Sequence, residues 1–383
     1  MHITDFELFS VSPRWLLLKV TTSDGTVGWG EPIVQGRIRA VSGAVKELMD
    51  SYLIGEDPLT IEKHWETMYR GGYFRGGPVL MSAIAGIDMA LWDIMGHHYD
   101  APIYDLLGGP VRSRLRVHHW IGGEKPEDVA ASAREMVEAG YSALKINATA
   151  EFRMLESPAA VNAATERLKA MREAVGDSVD IGVDFHGRVS FPMAKRMVSE
   201  LEPYGPMYFE QPVLPEQNDR LREIAAHTAV PVSTGERLYS RWDFKNALID
   251  GIAGVFHPDV THVGGISEMR KIATMTEAFD VALVPHCPIG PVALAASLQV
   301  GFCSQNIVVQ EQSLEVHDIE KSSGLDLLEN PTVFEFEDGY LRPSDRPGLG
   351  IDLDESTVRE LAEYDINWHN PIWHHDDGSP AEW

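Results

Sequence analysis

The first thirty residues alternate apolar and polar positions with the two-residue rhythm of strands. Residues 15–21 and 26–29 read as strands, and Ser23-Asp24-Gly25 between them as a hairpin turn. The apolar spacing then lengthens to three and four residues, which predicts helices over 41–53, 61–69 and 79–95. This α+β segment closes at the breaker Gly108-Gly109-Pro110, and residues 1–112 form a first domain. Beyond it the pattern changes. Short apolar runs at 115–120, 143–146, 180–183, 207–209, 231–234, 254–256, 282–284 and 307–309 alternate with amphipathic stretches such as 126–139, 159–175, 192–202, 219–226 and 265–279. Eight strands separated by helices predict an α/β fold, a closed parallel barrel over residues 113–340. Residues 341–383 lack that rhythm and are expected to return to the first domain.

Composition narrows the functional classes. Apolar residues make up 44 % of the 383-residue chain, as in a folded globular protein. No stretch reads as a membrane span of about 18 apolar residues. The start of the chain shows no secretory pattern, and two cysteines, Cys287 and Cys303, suit a reducing compartment, so a cytoplasmic location is expected. Asp and Glu number 58 against 32 Lys and Arg, a net charge of −26. That excess speaks against nucleic-acid and acidic-membrane partners, both of which need a basic face. Only 10 of the 32 basic residues are Lys. Abundant carboxylates with few lysines point to a surface adapted to high salt, where counterions screen the self-repulsion.

The residues that close the apolar runs carry the chemistry. IGVD ends at Asp184, MYFE at Glu210 and VSTGE at Glu236, each 26 residues after the last. One strand-helix unit is about that long, so three successive strands present one carboxylate each at the same level. In such a barrel the C-terminal strand ends form the active-site face. Crowded acids resist ionisation unless a cation sits among them, and all-oxygen ligands suit a hard ion, Mg²⁺ above all. The ladder continues through Asp259, His286 and Glu311, at intervals of 23, 27 and 25 residues. A single acid after a strand reads as a helix cap; six groups in register do not.

Asp259 sits one strand before His286, where it can orient the imidazole and raise its basicity. His186 follows the first acid by two residues and should reach the same cavity. His97, His98, His118, His119, His374 and His375 lie off the ladder and are taken as structural or surface groups. The glycine-rich GGYFRGGP (71–78) does not follow a strand with phosphate-loop spacing, which excludes a nucleotide loop. It is read as a loop over the barrel mouth, with Arg75 or Tyr73 near substrate; a plain turn is the alternative.

These residues resemble a known family. An α+β cap before a barrel with Asp, Glu, Glu on consecutive strands is similar to the enolase superfamily, mandelate racemase subgroup. The motifs RGGPVLMSAIAGID (75–88), DFHGRVS (184–190), TGER (234–237), PHCPIGP (285–291), QEQS (310–313) and DGSPAEW (377–383) narrow the resemblance to its D-galactonate dehydratases. The resemblance implies a (β/α)7β modified TIM barrel whose N-terminal cap is completed by the C-terminal segment. It implies one Mg²⁺ per subunit on Asp184, Glu210 and Glu236, His286 with Asp259 as general base, and His186 as general acid. Glu311 becomes a hydrogen-bonding partner of the enediolate, expected as a neutral acid. Lys145 and Asn147 stand where many relatives carry Lys-x-Lys and are expected to contact substrate; Asn147 cannot take a proton. Gln211 stands where near relatives carry a second acid. Residues 148–157 differ in wording and are expected to line the pocket. Homo-oligomeric assembly is also implied.

The implied reaction is removal of the C2 proton of a sugar acid and departure of its 3-hydroxyl, giving 2-dehydro-3-deoxy-D-galactonate from D-galactonate. One base, one acid and no second lysine favour dehydration over racemisation. Gluconate shares C2 and C3 with galactonate, so gluconate or xylonate dehydration is the alternative. Mannonate, inverted at C2, presents its proton to the wrong face. A non-catalytic relative with a binding role would have lost a ligand or base, and here all stand.

Overall fold

The computed structural model describes residues 1–314, 324–362 and 367–382. Strands β1 (Ile3–Val11), β2 (Trp15–Thr22) and β3 (Val27–Gly30) form an antiparallel sheet in that order. Helices α1 (Ile38–Leu48), α2 (Ile61–Arg70) and α3 (Pro78–Tyr99) follow, and α3 packs on β2 and β3. In α1 the buried positions Ile38, Val41, Val45 and Leu48 recur at helical spacing, so one face is sealed. Helix α3 can lie close to the sheet because glycine meets glycine: a Cβ on Gly30 would stand 1.9 Å from the carbonyl oxygen of Gly86.

Helix α3 corrects one expectation. By length and composition alone it is apolar enough to cross a membrane. In the fold, 78 % of its most apolar window is buried, against the sheet, α1 and the barrel helix α10 described below. An all-round apolar helix is here a central helix of the molecule.

After α4 (Ile103–Leu106) the chain enters the barrel. Its strands are β4 (Leu115–Ile121), β5 (Ala143–Asn147), β6 (Asp180–Asp184), β7 (Tyr208–Glu210), β8 (Val232–Thr234), β9 (Val255–Phe256), β10 (Ala282–Leu283) and β11 (Gln310–Glu311). The alternating helices are α5 (Pro126–Glu138), α6 (Pro158–Val175), α7 (Phe191–Leu201), α8 (Leu221–Ala225), α9 (Arg241–Asp250), α10 (Ile266–Glu277) and α11 (Pro291–Cys303). Neighbouring strands pair in parallel from β4 to β10. The ring closes where Leu283 bridges Ile307 and where β11 pairs with β4. The result is a (β/α)7β barrel under an α+β cap. The last strand is displaced from its expected place: only Ile307 bridges within 307–309, and regular pairing begins at Gln310.

Strand β12 (Tyr340–Leu341) pairs antiparallel with β4. Helix α12 (Glu355–Ala362) then packs on β1, where Arg359 grips Glu7 at 2.7 and 2.8 Å and Lys19 holds Glu355 at 2.7 Å. The chain next runs to a short hairpin, β13 (Trp373–His374) and β14 (Pro380–Ala381). Trp383, the last residue of the DGSPAEW motif, lies outside the described residues.

Candidate active site

Pairing register places the first carboxylates. Asn147 on β5 pairs with Asp184 on β6, and Asp184 with Glu210 on β7, so three neighbouring strands end at one level. Glu236 lies two residues beyond the end of β8, on the loop, and Asp259 and His286 lie three beyond β9 and β10. The ladder is therefore half strand end and half loop. Oxygens of Asp184, Glu210 and Glu236 nevertheless come within 4.8 Å of one another, and all three residues are buried.

The triad is electrostatically strained by itself. Burial and the charge of Asp184 push Glu210 well above the usual carboxylate range. Burial acts the same way on Asp184, but His186 and Lys145 outweigh it and hold Asp184 below that range. The Lys145 ammonium lies 3.2 Å from Asp184, 2.8 Å from Glu210 and 3.0 Å from Glu311. Among the described residues no donor is aligned for a hydrogen bond to Asp184 Oδ2 or to either oxygen of Glu210. Buried carboxylate oxygens that outnumber the one ammonium among them fit a divalent, oxygen-seeking cation.

Two imidazoles flank this centre. His286 Nδ1 lies 2.7 Å from Asp259 Oδ2, and its Nε2 lies 3.2 Å from Glu236 Oε2. Burial opposes charge on His286, but Glu311, the Asp259 hydrogen bond and Glu236 raise it to about 10. Asp259 in turn accepts the N–H (2.7 Å) and hydroxyl (2.5 Å) of Thr261, which fix its carboxylate plane. His186 Nε2 lies 3.0 Å from Asp184 Oδ2, and its own N–H donates to Asp184 Oδ1 at 2.8 Å. His186 has a φ of 50°, a left-handed turn that aims the ring back over β6. Burial pushes its pKa down against the pull of Asp184 and Glu236. Strands β6 and β10 are four apart in a ring of eight, so the two imidazoles approach from opposite sides.

Glu311 departs from expectation. Although it is buried, the ammonium of Lys145 and the charge of His286 hold it well below the usual carboxylate range. It also accepts the Cys287 N–H at 3.0 Å. It is an ionised partner of Lys145 here, where a neutral acid was expected.

These groups open on a cavity of about 630 Å³. Lys145, Asn147, Asp184, His186, Glu236, His286 and Glu311 line it. Asn147 accepts a hydrogen bond from the Trp120 indole at 3.2 Å, which fixes its amide. Gln211 faces away: it bonds the Val213 carbonyl (3.3 Å) and the Thr234 hydroxyl (2.8 Å). Within 148–157 no residue lines the cavity, which corrects the expectation for that stretch. Arg75 is likewise absent from it. Its loop turns outward, leaving Tyr73 91 % and Phe74 87 % exposed, and Arg75 lines a second cavity with Leu48, Met68 and Leu80. The reason is the Gly76-Gly77 pair, both at positive φ, which reverses the chain before Pro78, and Pro78 alone of 71–78 reaches the larger cavity.

The cavity contains residues that strand-end reading does not find. Arg14 and Gln35 of the cap both donate to the Pro288 carbonyl at 3.4 Å. Arg188 donates to the Thr149 carbonyl at 3.0 Å. Asn370 and Glu382 arrive from the C-terminal segment. Arg188 and Glu382 lie inside quoted motifs, but nothing local marks their direction; Arg14, Gln35 and Asn370 carry no local signal.

A family model for the mandelate racemase / muconate lactonizing enzyme N-terminal domain matches residues 10–108, and one for the enolase C-terminal domain matches 128–357. The chain belongs to the mandelate racemase / muconate lactonizing enzyme family. Within this family it is 50 % identical to the D-galactonate dehydratase of Ralstonia pickettii and 49 % identical to that of Ralstonia nicotianae, over all 383 residues and the whole of each relative. Among solved family structures, an Agrobacterium radiobacter enolase with bound sodium and L-malate superposes with a TM-score of 0.90 at 31 % identity, covering both chains completely. A Jannaschia sp. CCS1 mandelate racemase/muconate lactonizing enzyme superposes with a TM-score of 0.87 at 31 % identity, covering 94 % of this chain and 97 % of that one.

Proposed function

We propose that the chain is a Mg²⁺-dependent hydro-lyase that converts D-galactonate to 2-dehydro-3-deoxy-D-galactonate. One observation carries the reading: a carboxylate-backed imidazole and a second imidazole stand on opposite sides of one acidic triad. Half-identity over the full length to two D-galactonate dehydratases supports the substrate. The L-malate in the Agrobacterium relative, itself a 2-hydroxy acid, suits the same class of ligand.

Asp184, Glu210 and Glu236 would hold the cation. When bound, it supplies Lewis-acid stabilisation of the negative charge that develops as the C2 proton leaves. Asp259 holds the Nδ1–H of His286, and His286 in its neutral form would take that proton at Nε2. Lys145 places a fixed positive charge at the edge of the triad, held there by Glu311. His186, on the other side, would give a proton from Nε2 to the departing 3-hydroxyl, which leaves as water. The resulting enol tautomerises to the 2-keto acid. Asn147, with no ionisable group, supplies no second base, and this favours elimination over racemisation.

The test is incubation of the Mg²⁺-loaded protein with a panel of aldonic acids and assay for 2-keto-3-deoxy acids. Galactonate turnover is the expected result. Turnover of gluconate or xylonate alone would keep the chemistry and reassign the substrate; turnover of none would overturn the proposal.

A further inference from the structure

The cavity lined by Asp184, Glu236 and the two imidazoles is lined as well by Arg14 and Gln35 from the cap and by Asn370 and Glu382 from the last fourteen residues of the chain. We propose that the C-terminal segment forms the subsite for the distal hydroxyls of the substrate, with Asn370 and Glu382 reading the configuration at C4. The inference rests on the function proposed above.

The segment is fastened where it could otherwise hang free. Trp368 lies under the Arg14 guanidinium at 5.2 Å, and Trp373 under that of Arg188 at 4.8 Å. Asp376 pairs with Arg153 at 3.2 Å, and His375 bonds Glu151. The contacts reach the cap and the loops after β5 and β6, and they hold the hairpin so that Asn370 before it and Glu382 after it line the cavity. Asn370 packs against the cap loop so closely that a Cβ on Gly36 would stand 3.2 Å from its backbone N and its Oδ1. Gly36 has a φ of 75° and follows Gln35, so the loop and the tail meet beside the cavity.

The chemistry of this lining suits a polyol. Arg14 and Arg188 are buried, and the Nε of each has no hydrogen-bond partner among the described residues. Glu382 adds acceptor oxygens and Asn370 both a donor and an acceptor. An aldonate whose C1–C3 portion lies between the imidazoles would place its C4–C6 hydroxyls against the remaining lining residues, these four among them. A second carboxylate there attracts no anion, but it accepts hydrogen bonds from vicinal hydroxyls. Galactonate and gluconate differ only at C4, so the pair isolates this contact.

The test compares the full-length Mg²⁺-loaded wild type with Glu382→Gln and Asn370→Ala on D-galactonate and D-gluconate. Expected is a roughly 10- to 100-fold loss in kcat/KM for galactonate, mostly in KM, the worth of one hydrogen bond to a charged or buried polar group. Gluconate should change by less than about threefold, and Mg²⁺ affinity should not change. Equal losses on both acids, or an unchanged or improved KM for galactonate, would overturn the inference. Calorimetric binding of the two acids to His286→Ala, with and without Glu382→Gln, keeps the readings apart. If wild type turns over neither acid, the proposed function fails. A galactonate-to-gluconate affinity ratio that Glu382→Gln leaves untouched overturns the tail subsite in that case too.

Discussion

Asp259 Oδ2 lies 2.7 Å from His286 Nδ1, bridging the loops that leave two adjacent barrel strands. The carboxylate selects the tautomer whose Nε2 faces the cavity, and it is one of the charges that raise the imidazole to about 10. Asp259→Asn keeps the shape and removes both effects. Turnover should fall about 10²- to 10⁴-fold, the usual range for a general base. His286→Ala should also abolish exchange of the C2 proton with solvent deuterium while Mg²⁺ still binds. Normal exchange in that variant would remove His286 from the base role.

The triad predicts a metal response in stability as well as in rate. Binding to the folded state alone should raise stability by about 2.7 kcal/mol at a hundred times Kd. Thermal melts with and without Mg²⁺ should separate for the wild type and coincide for Asp184→Ala. A melt of the wild type that ignores Mg²⁺ would contradict the site.

Two buried cap carboxylates predict the pH dependence of folding. Glu31 accepts the N–H groups of Gly290 and Ala293, both at 2.9 Å, and caps α11 from the other domain. Asp88 does the same for α10 through Ser267. Burial raises each to about 7, above ordinary values of 4.5 and 3.8. A raised carboxyl favours the folded state where it is protonated. Its contribution is complete below the unfolded value and lost as pH rises through about 7. For Glu31 this amounts to about 3 kcal/mol between pH 4.5 and 7. Urea midpoints should therefore rise as pH falls through this window, and Glu31→Gln should flatten the slope. An unaltered slope would show that Glu31 does not titrate there.

The acidic composition predicts a salt response. With 58 acidic and 32 basic side chains, self-repulsion opposes compaction at low ionic strength. The unfolding temperature should rise with KCl toward molar concentrations. Equal midpoints at low and high KCl would refute adaptation to salt.

The sequence by itself determined the barrel and most of the groups that the candidate site brings together. The 26-residue spacing of Asp184, Glu210 and Glu236 is a local property, since one strand-helix unit is about that long, and the pairing of Asp184 with Glu210 agrees with it. Tertiary structure decided whatever depends on groups distant in the chain. The protonation of Glu311 turns on Lys145, 166 residues away, whose ammonium also serves the triad. Arg75 left the site because two glycines reverse its loop, a choice of backbone angle that no side-chain pattern encodes. The cap's capping of α10 and α11, and the tail with Asn370 and Glu382, join segments more than 170 residues apart. Periodicity reports which face of an element is apolar; it does not report which distant element covers that face.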